Sequence, residues 1–344
     1  MGRDLISRPY GRFYHLPKAL VLKGHEVQIA LCSYLNEPDI VGKQDGDGIL
    51  WHSSNLLNCN PTRYYLRTRD LVRDVKPDWI IGFSDSWYGI IAQYLAEKHG
   101  CKSLIDAYDN YESYIPWCFP LHQLWRRALG RASVVSAAGP QLATLLQHNR
   151  AKIDAKILPM AADPEFVPIN KFESRKKIGL TTEKKLIGYC GSIYRSRGIE
   201  FLFRLADRLS LIDPMIQIVA SGRKEKGLVI PQNIRWLGYL PDQQMPLLLN
   251  SMDVLLVLNR ESSFGQYSYP VKLYEAMQCR IPVVASETAP ARWILGGDRR
   301  FLGNIGDLND FSVKVIAALD LGESIYPSQS SWGDVVGELE KILR

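Results

Sequence analysis

The chain has 344 residues, more than one hydrophobic core normally organises, so two domains are expected. Its 46% hydrophobic and 23% charged residues are an ordinary globular composition and exclude a largely disordered protein. A net charge of +6 suits an anionic substrate or an acidic membrane surface; with no nucleic-acid motif beside it, nucleic acid is not an expected partner.

The opening, MGRDLISRPYGRF, lacks the apolar core of a secretory leader, and no run reaches the ~18 apolar residues of a membrane helix. A cytoplasmic protein is expected. A doubly wound domain usually begins with an apolar strand, but here that strand is confined to Leu5-Ile6 or missing. The run FYHLPKALVLKG then reads as a helix. Strands follow at HEVQIALC, GILWHSS, DWIIGFS, KSLIDAYD, ASVVSAA and AKILPMA. Helices are predicted at PTRYYLRTRDLVRDVK, SWYGIIAQYLAEKHG and GPQLATLLQHN. Short, nearly continuous apolar strands between helices suit a parallel sheet covered on both faces.

The alternation breaks between Asp163 and Lys185, where charge and turn residues replace apolar runs, and this stretch reads as a linker. It restarts with KLIGYCGS and a helix from Gly198 to Leu209. Strands are then predicted at MIQIVASG, NIRWLGYL, DVLLVLN, IPVVAS and RRFLGNI. The expected division is residues 1–162, linker 163–185, residues 186–326, and a closing amphipathic helix within 327–344. The predicted class is α/β, with two Rossmann-like doubly wound domains facing across a cleft. The six cysteines (Cys32, Cys59, Cys101, Cys118, Cys190 and Cys279) form no C-x-x-C pair, and the six histidines are dispersed. Free thiols are therefore expected, with no metal site.

The most informative stretch is SSFGQYSYPVKLYEAMQCRIPVVAS, from Ser262 to Ser286. A loop of small residues enters a short helix carrying Glu275, and a strand follows. In a doubly wound sheet this order sets the loop and first helical turn at the carboxyl ends of the strands, where backbone N–H groups and the helix dipole favour a phosphate. A carboxylate one turn further in can take the two hydroxyls of a ribose.

This stretch resembles the signature of the large retaining family of GT-B glycosyltransferases that use nucleotide-activated sugars. Four further segments are similar to that family in the right order: GRFYHLPKALVLKGHEVQIAL, AKILPMAADPEFVP, KKLIGYCGSIYRSRGIEFL and NIRWLGYLPDQQMPLLLNSMDVLLVLN. The resemblance implies glycosyl transfer from a nucleoside diphosphate sugar to a hydroxyl of a glycan or lipid-linked acceptor, with retention and without a metal or other cofactor.

Residue by residue, it implies that Glu275 holds the ribose. The loop containing Gly265, Ser268, Tyr269 and Pro270 would meet the diphosphate and sugar, with Lys272 at a phosphate. Gly191 and Ser192 would lie close to phosphate, and Arg197 would grip the departing diphosphate. Ser192 stands where the family often has arginine, which leaves Arg195, Arg223 or Lys224 to supply a second cation. Tyr267 replaces an expected glutamate, which marks a divergent branch. In the first domain Asp109 is the candidate beside the reacting hydroxyl, with Asp106, Asp85, Arg8, Tyr10, Gly11 and Arg12 as acceptor contacts. Tyr108 stands where the family often has histidine. Asp106 and Asp109 are equally suited to capping the segment that follows them.

Two other readings remain open: a sugar-nucleotide epimerase on the same fold, and a non-catalytic protein that binds nucleotide sugars or glycans. A dinucleotide-dependent dehydrogenase is disfavoured because no G-x-G-x-x-G turn follows the first strand of either half. The stretch WCFPLHQLWRRALGRA joins aromatic residues to clustered arginines. It suits either an ordinary helix on the sheet or a peripheral seat on an anionic membrane at the inner face.

Overall fold

A computed structural model describes residues 5–6, 9–34, 38–57, 60–148, 154–195 and 198–344. The chain divides into two compact units, Met1–Asp163 with Ser330–Arg344, and Pro164–Gln329.

In the first unit, Leu5 and Ile6 form a turn rather than a strand. Leu5 joins Tyr14, Leu31, Ile49 and Trp51 in a small buried cluster. Helix α1 (Arg12–Leu22) is followed by strands β1 (Gln28–Ser33), β2 (Ile40–Gln44) and β3 (Leu50–Asn55). These form a three-stranded sheet in the order β1-β3-β2, with β2 antiparallel to β3. Strand β2 was not expected. Its residues IVGKQ are mostly exposed, so no apolar run marks it, and the turn residues of DGDG join it to β3.

Helix α2 (Pro61–Val75), strand β4 (Trp79–Phe83), helix α3 (Ser86–His99) and strand β5 (Lys102–Ala107) come next. Helix α4 (Phe119–Arg131), strand β6 (Val134–Ala137), helix α5 (Pro140–Gln147) and strand β7 (Lys156–Ile157) complete a parallel sheet ordered β4-β5-β6-β7. Helix starts follow local chemistry: the Asn60 side chain accepts the Arg63 N–H to cap α2, and Asp85 accepts the Ser86 N–H to cap α3.

The second unit holds α6 (Lys171–Lys177), β8 (Lys185–Cys190), α7 (Ile199–Ile212), β9 (Ile216–Ser221), β10 (Ile234–Trp236) and α8 (Met245–Asn250). It continues with β11 (Val254–Val257), α9 (Val271–Gln278), β12 (Val283–Ser286), α10 (Ala289–Ile294), β13 (Leu302–Gly303) and α11 (Leu308–Leu319). All six strands run parallel in the order β10-β9-β8-β11-β12-β13. The apolar stripe of α7 (Phe201, Leu202, Leu205, Leu209) packs on Ile187 and Ile218 of the sheet, with Phe311 of α11 edge-on to Phe201 at 5.1 Å.

The charged stretch expected to be a linker is instead part of this unit. Helix α6 packs on α8. The Arg175 side chain is buried, donating to Ser251 O at 2.8 Å and to Asp253 Oδ2 at 2.6 Å. A charged residue satisfied in this way leaves no apolar pattern to read.

Helix α12 (Trp332–Leu343) returns to the first unit and packs on α1. Ser331 and Asp334 form a reciprocal capping box at its start. Trp332 stacks on His15 and donates its Nε1–H to Asp163 Oδ1 at 3.0 Å, and Trp79 Nε1–H donates to Leu343 O at 2.8 Å. Cys32, Cys101, Cys118, Cys190 and Cys279 are free thiols, and Cys59 lies outside the described residues.

Candidate functional site

The strand order of the second unit reverses between β8 and β11, the switch point at which open α/β sheets bind ligands. Three loops emerge there or beside it. Those after β8 and β9 lie backbone against backbone, since a Cβ on Gly222 would run into the carbonyl of Gly191. Ile193 N–H donates to Arg223 O at 2.9 Å and Glu225 N–H to Ile193 O at 3.0 Å, which ties the two loops together. Ser192 is exposed, and its carbonyl accepts the Tyr189 hydroxyl at 3.2 Å.

Arg195, expected near the diphosphate, is held by Glu225 through its backbone N–H at 2.8 Å and its guanidinium at 3.2 Å. Arg223 lies over the Tyr239 ring at 5.2 Å and Lys224 over the Trp236 ring at 4.9 Å. Arg197 and, in the first unit, Arg8 lie outside the described residues.

The loop after β11 is tightly built. Asn259 N–H donates to Ser286 Oγ at 3.0 Å, and its side-chain amide donates to Gly265 O at 3.2 Å. Gly265 N–H donates to Ser262 Oγ at 2.9 Å, and a Cβ on Gly265 would collide with the Arg260 carbonyl. Ser268 is half-buried after the turn Gly265–Tyr267, and Pro270 opens α9. The Tyr269 ring is buried edge-on to Trp293 at 5.7 Å and anchors the loop.

Within α9, Lys272 Nζ donates to Glu275 Oε2 at 2.6 Å, and Glu275 is only 6% exposed. The pair stands beside the end of β8. There burial pushes the Cys190 thiol up to about 12, with the Lys272 charge opposing and the Glu275 charge adding to the rise. The helix thus sets a buried carboxylate and a half-buried cation side by side, one turn into α9.

One cation here carried no motif signal. The Arg260 side chain reaches to 3.7 Å from the Cβ position of Gly198, the residue that starts α7 at φ +75° with no side-chain cap. Only its place directly after the apolar run of β11 could have marked it. It brings positive charge to the N-terminal end of α7, where Ser192 supplies none.

In the first unit, Asp85, Asp106 and Asp109 stand at the carboxyl ends of β4 and β5. Ser84 takes φ +84°, and Asp85 N–H bonds back to Phe83 O at 3.1 Å in a tight three-residue turn. Asp85 caps α3, accepting the Ser86 N–H at 2.6 Å. Asp109 is buried and accepts the Tyr114 hydroxyl at 2.7 Å. Burial, followed by the charge of Asp109, pushes the Tyr114 phenol far up, so it stays a donor. Tyr108 is edge-on to Phe13 at 5.3 Å. Burial and then Asp109 raise its phenol too, with Tyr10 and Asp85 adding smaller effects, so these residues share one neighbourhood.

Arg12, Asp106 and Gly11 depart from the acceptor role expected of them. Arg12 is 1% exposed. It grips Asp106 with two bonds of 2.6 Å and donates to Leu158 O and Pro159 O, while Ser136 Oγ–H donates to Asp106 at 2.6 Å. Gly11 N–H donates to both carboxylate oxygens of Asp163. These groups fasten α1 to the sheet rather than offering polar atoms outward. Burial opposes charge on Asp163, but bonds from His15, Gly11 and Trp332 hold its carboxyl below the usual range.

Residues 184–320 match the family model described as glycosyl transferases group 1. The D-inositol 3-phosphate glycosyltransferase of Mycolicibacterium smegmatis is 26% identical over 245 residues, covering 62% of this chain and 54% of that protein. A putative teichuronic acid biosynthesis glycosyltransferase, TuaC of Bacillus subtilis, is 26% identical over 255 residues, covering 71% and 58%. The chain thus spans a little over half the length of these curated relatives. Among solved structures, sucrose-phosphate synthase from Thermosynechococcus elongatus superimposes with a TM-score of 0.73 at 14% identity, covering 96% of this chain and 87% of that one. Anabaena HepE in complex with UDP gives 0.64 at 14% identity, covering 85% and 81%.

The chain has the GT-B fold, and its residues 184–320 match the glycosyl transferases group 1 family. The GT-B assignment gives the second unit its meaning: the matched segment 184–320 contains β8, the loop after β11 and the Lys272–Glu275 pair. It also accounts for two Rossmann-like units in one chain.

Proposed function

We propose that the protein transfers a sugar from a nucleoside diphosphate sugar to a hydroxyl of a glycan or glycolipid acceptor, with retention of anomeric configuration. The observation that carries this reading is the buried Glu275 carboxylate, bound by the half-buried Lys272 within α9, on the switch-point side of a parallel sheet ordered β10-β9-β8-β11-β12-β13. Solved HepE complexes with UDP and with UDP-glucose support a uridine diphosphate sugar as the first donor to test. The names of the two curated relatives, one acting on D-inositol 3-phosphate and one assigned to teichuronic acid biosynthesis, support an acceptor rich in hydroxyls.

In this reading Glu275 accepts the ribose hydroxyls, and Lys272 and the amides around Gly265 meet the diphosphate. The bond from the anomeric carbon to the diphosphate oxygen breaks, its electron pair leaving with the diphosphate. The developing charge meets Arg197, Arg260 and the N-terminal dipoles of α7 and α9. The acceptor oxygen bonds to the anomeric carbon, and its proton passes to a phosphate oxygen on the same face. Asp109, held by Tyr114, orients the acceptor hydroxyl. Arginine, lysine and backbone amides supply the positive charge, so transfer is expected to continue in the presence of a chelator.

Tyr267, Ser192 and Tyr108 at positions where the family carries functional residues favour a second reading, a non-catalytic nucleotide-sugar binder. A thermal-shift screen across nucleoside diphosphates and their sugars, followed by assays for transfer and hydrolysis, separates the two. A stabilising diphosphate with transferred product supports the enzyme. Binding without transfer or slow hydrolysis supports the binder, and interconversion of sugars without an acceptor would identify an epimerase.

A further inference from the structure

We infer that residues 114–131 of the first unit seat the protein on an anionic lipid bilayer. This stretch contains Arg126, Arg127 and Arg131 and no acidic residue. Its inner face is accounted for by the core: Trp125 lies edge-on to Tyr111 at 5.4 Å, and Ala128 and Leu129 are buried where α4 packs on α3. Its outer face is not. Trp117 is 75% and Phe119 69% exposed, with Tyr114, Ile115 and Leu124 exposed beside them. Cys118 N–H bonds to Ile115 O and Phe119 N–H to Trp117 O, so the segment before α4 is a tight turn that presents its large side chains together.

An apolar tip bordered by arginines is the pattern of a helix lying in the interface of a charged membrane. Arg126 pairs with Glu112 and Arg131 with Glu97, but both arginines are exposed, and such pairs yield readily to a phosphate. A second copy of the chain is a poorer occupant. At about 150–250 Å² per aromatic side chain, the three rings expose on the order of 400 Å², whereas a stable interface needs roughly 800 Å² per partner.

The inference deepens the proposed function by placing its acceptor. Tyr114 belongs to the exposed patch and also holds Asp109 at 2.7 Å, so the acceptor carboxylate lies one side chain from the bilayer. The reacting hydroxyl then belongs to a membrane-bound, lipid-linked glycan.

The test is co-sedimentation of the full chain with vesicles of phosphatidylcholine alone or mixed with phosphatidylglycerol. Binding to the mixed vesicles is expected, weakened by salt. The double variant W117E/F119E should lose at least about tenfold in partitioning while keeping its melting temperature and any thermal shift with UDP. No preference for the anionic vesicles, or equal sedimentation of variant and parent, overturns the inference. Concentration-dependent dimerisation by light scattering, abolished in the double variant, overturns it in favour of a second copy. Failure of the donor reading would show separately, as no stabilisation by any nucleoside diphosphate while vesicle binding persists.

Discussion

Arg12 and Asp106 face each other across a fully buried two-point ion pair, with Arg12 Nε donating to Asp106 Oδ2 and Nη2 to Oδ1, each at 2.6 Å. The remaining Arg12 nitrogen is bound to the carbonyls of Leu158 and Pro159, so α1 is tied both to β5 and to the chain beyond β7. Removing one partner leaves the other charge buried without compensation. Asp106→Ala is expected to destabilise the first unit by about 3–5 kcal/mol. Urea unfolding should show an earlier transition for that unit, with donor affinity of the second unit retained.

Glu275→Ala should weaken binding of a nucleoside diphosphate sugar by about 1–3 kcal/mol, the usual loss for a hydrogen bond to a charged group. Calorimetry on a variant whose melting temperature is checked decides this. Unchanged affinity in a folded variant would remove the ribose role from Glu275.

Asp109→Asn should lower transfer by about a hundredfold or more, with the donor dissociation constant unchanged. Tyr114→Phe removes only the group that fixes the carboxylate and should cost less, about tenfold. If Asp109→Asn matches the parent in a transfer assay, Asp109 has no catalytic part.

Arg260→Ala should weaken nucleoside diphosphate binding by about 1 kcal/mol, a small value because the side chain is exposed to solvent. Affinity for the nucleoside alone should not change. Equal losses for both ligands would mean that Arg260 shapes the loop rather than meeting phosphate.

The second unit should lose stability on the acid side through Asp253. Burial opposes its charge, yet hydrogen bonds from Lys171 and the Leu186 N–H and the charges of Lys171 and Arg175 hold the carboxyl below its ordinary 3.8. An unfolded aspartate titrates near that ordinary value. The contribution is therefore complete above it and disappears as the pH falls through the lower folded value, below about pH 4. Urea midpoints of the second unit measured from neutral to acid pH should fall in this window. Asp253→Asn should be less stable at neutral pH and fall less steeply.

The α/β alternation and the loop from Ser262 to Ser286 were legible because apolar runs and small residues are local signals. What escaped was long-range pairing of charge. Arg175 and Asp253 lie 78 residues apart, and Arg12 and Asp106 lie 94 apart. A buried arginine satisfied by a distant carboxylate looks, in sequence, like any solvated one. The same blindness made α6 look like a linker and made Arg12 and Asp106 look like ligands. The anchoring of the Tyr269 ring on Trp293 of α10 was equally hidden, because ring contacts between separate elements leave no local pattern.

Helix α12 belongs to the first unit although the whole of Pro164–Gln329 is synthesised before it. The second unit is continuous and can fold as soon as it leaves the ribosome, whereas Asp163 must wait for the Trp332 indole and β4 for its bond to Leu343. The first unit is therefore complete only after the second has been synthesised. A released chain truncated after Gln329 should carry a protease-resistant second unit beside a first unit that is open to cleavage.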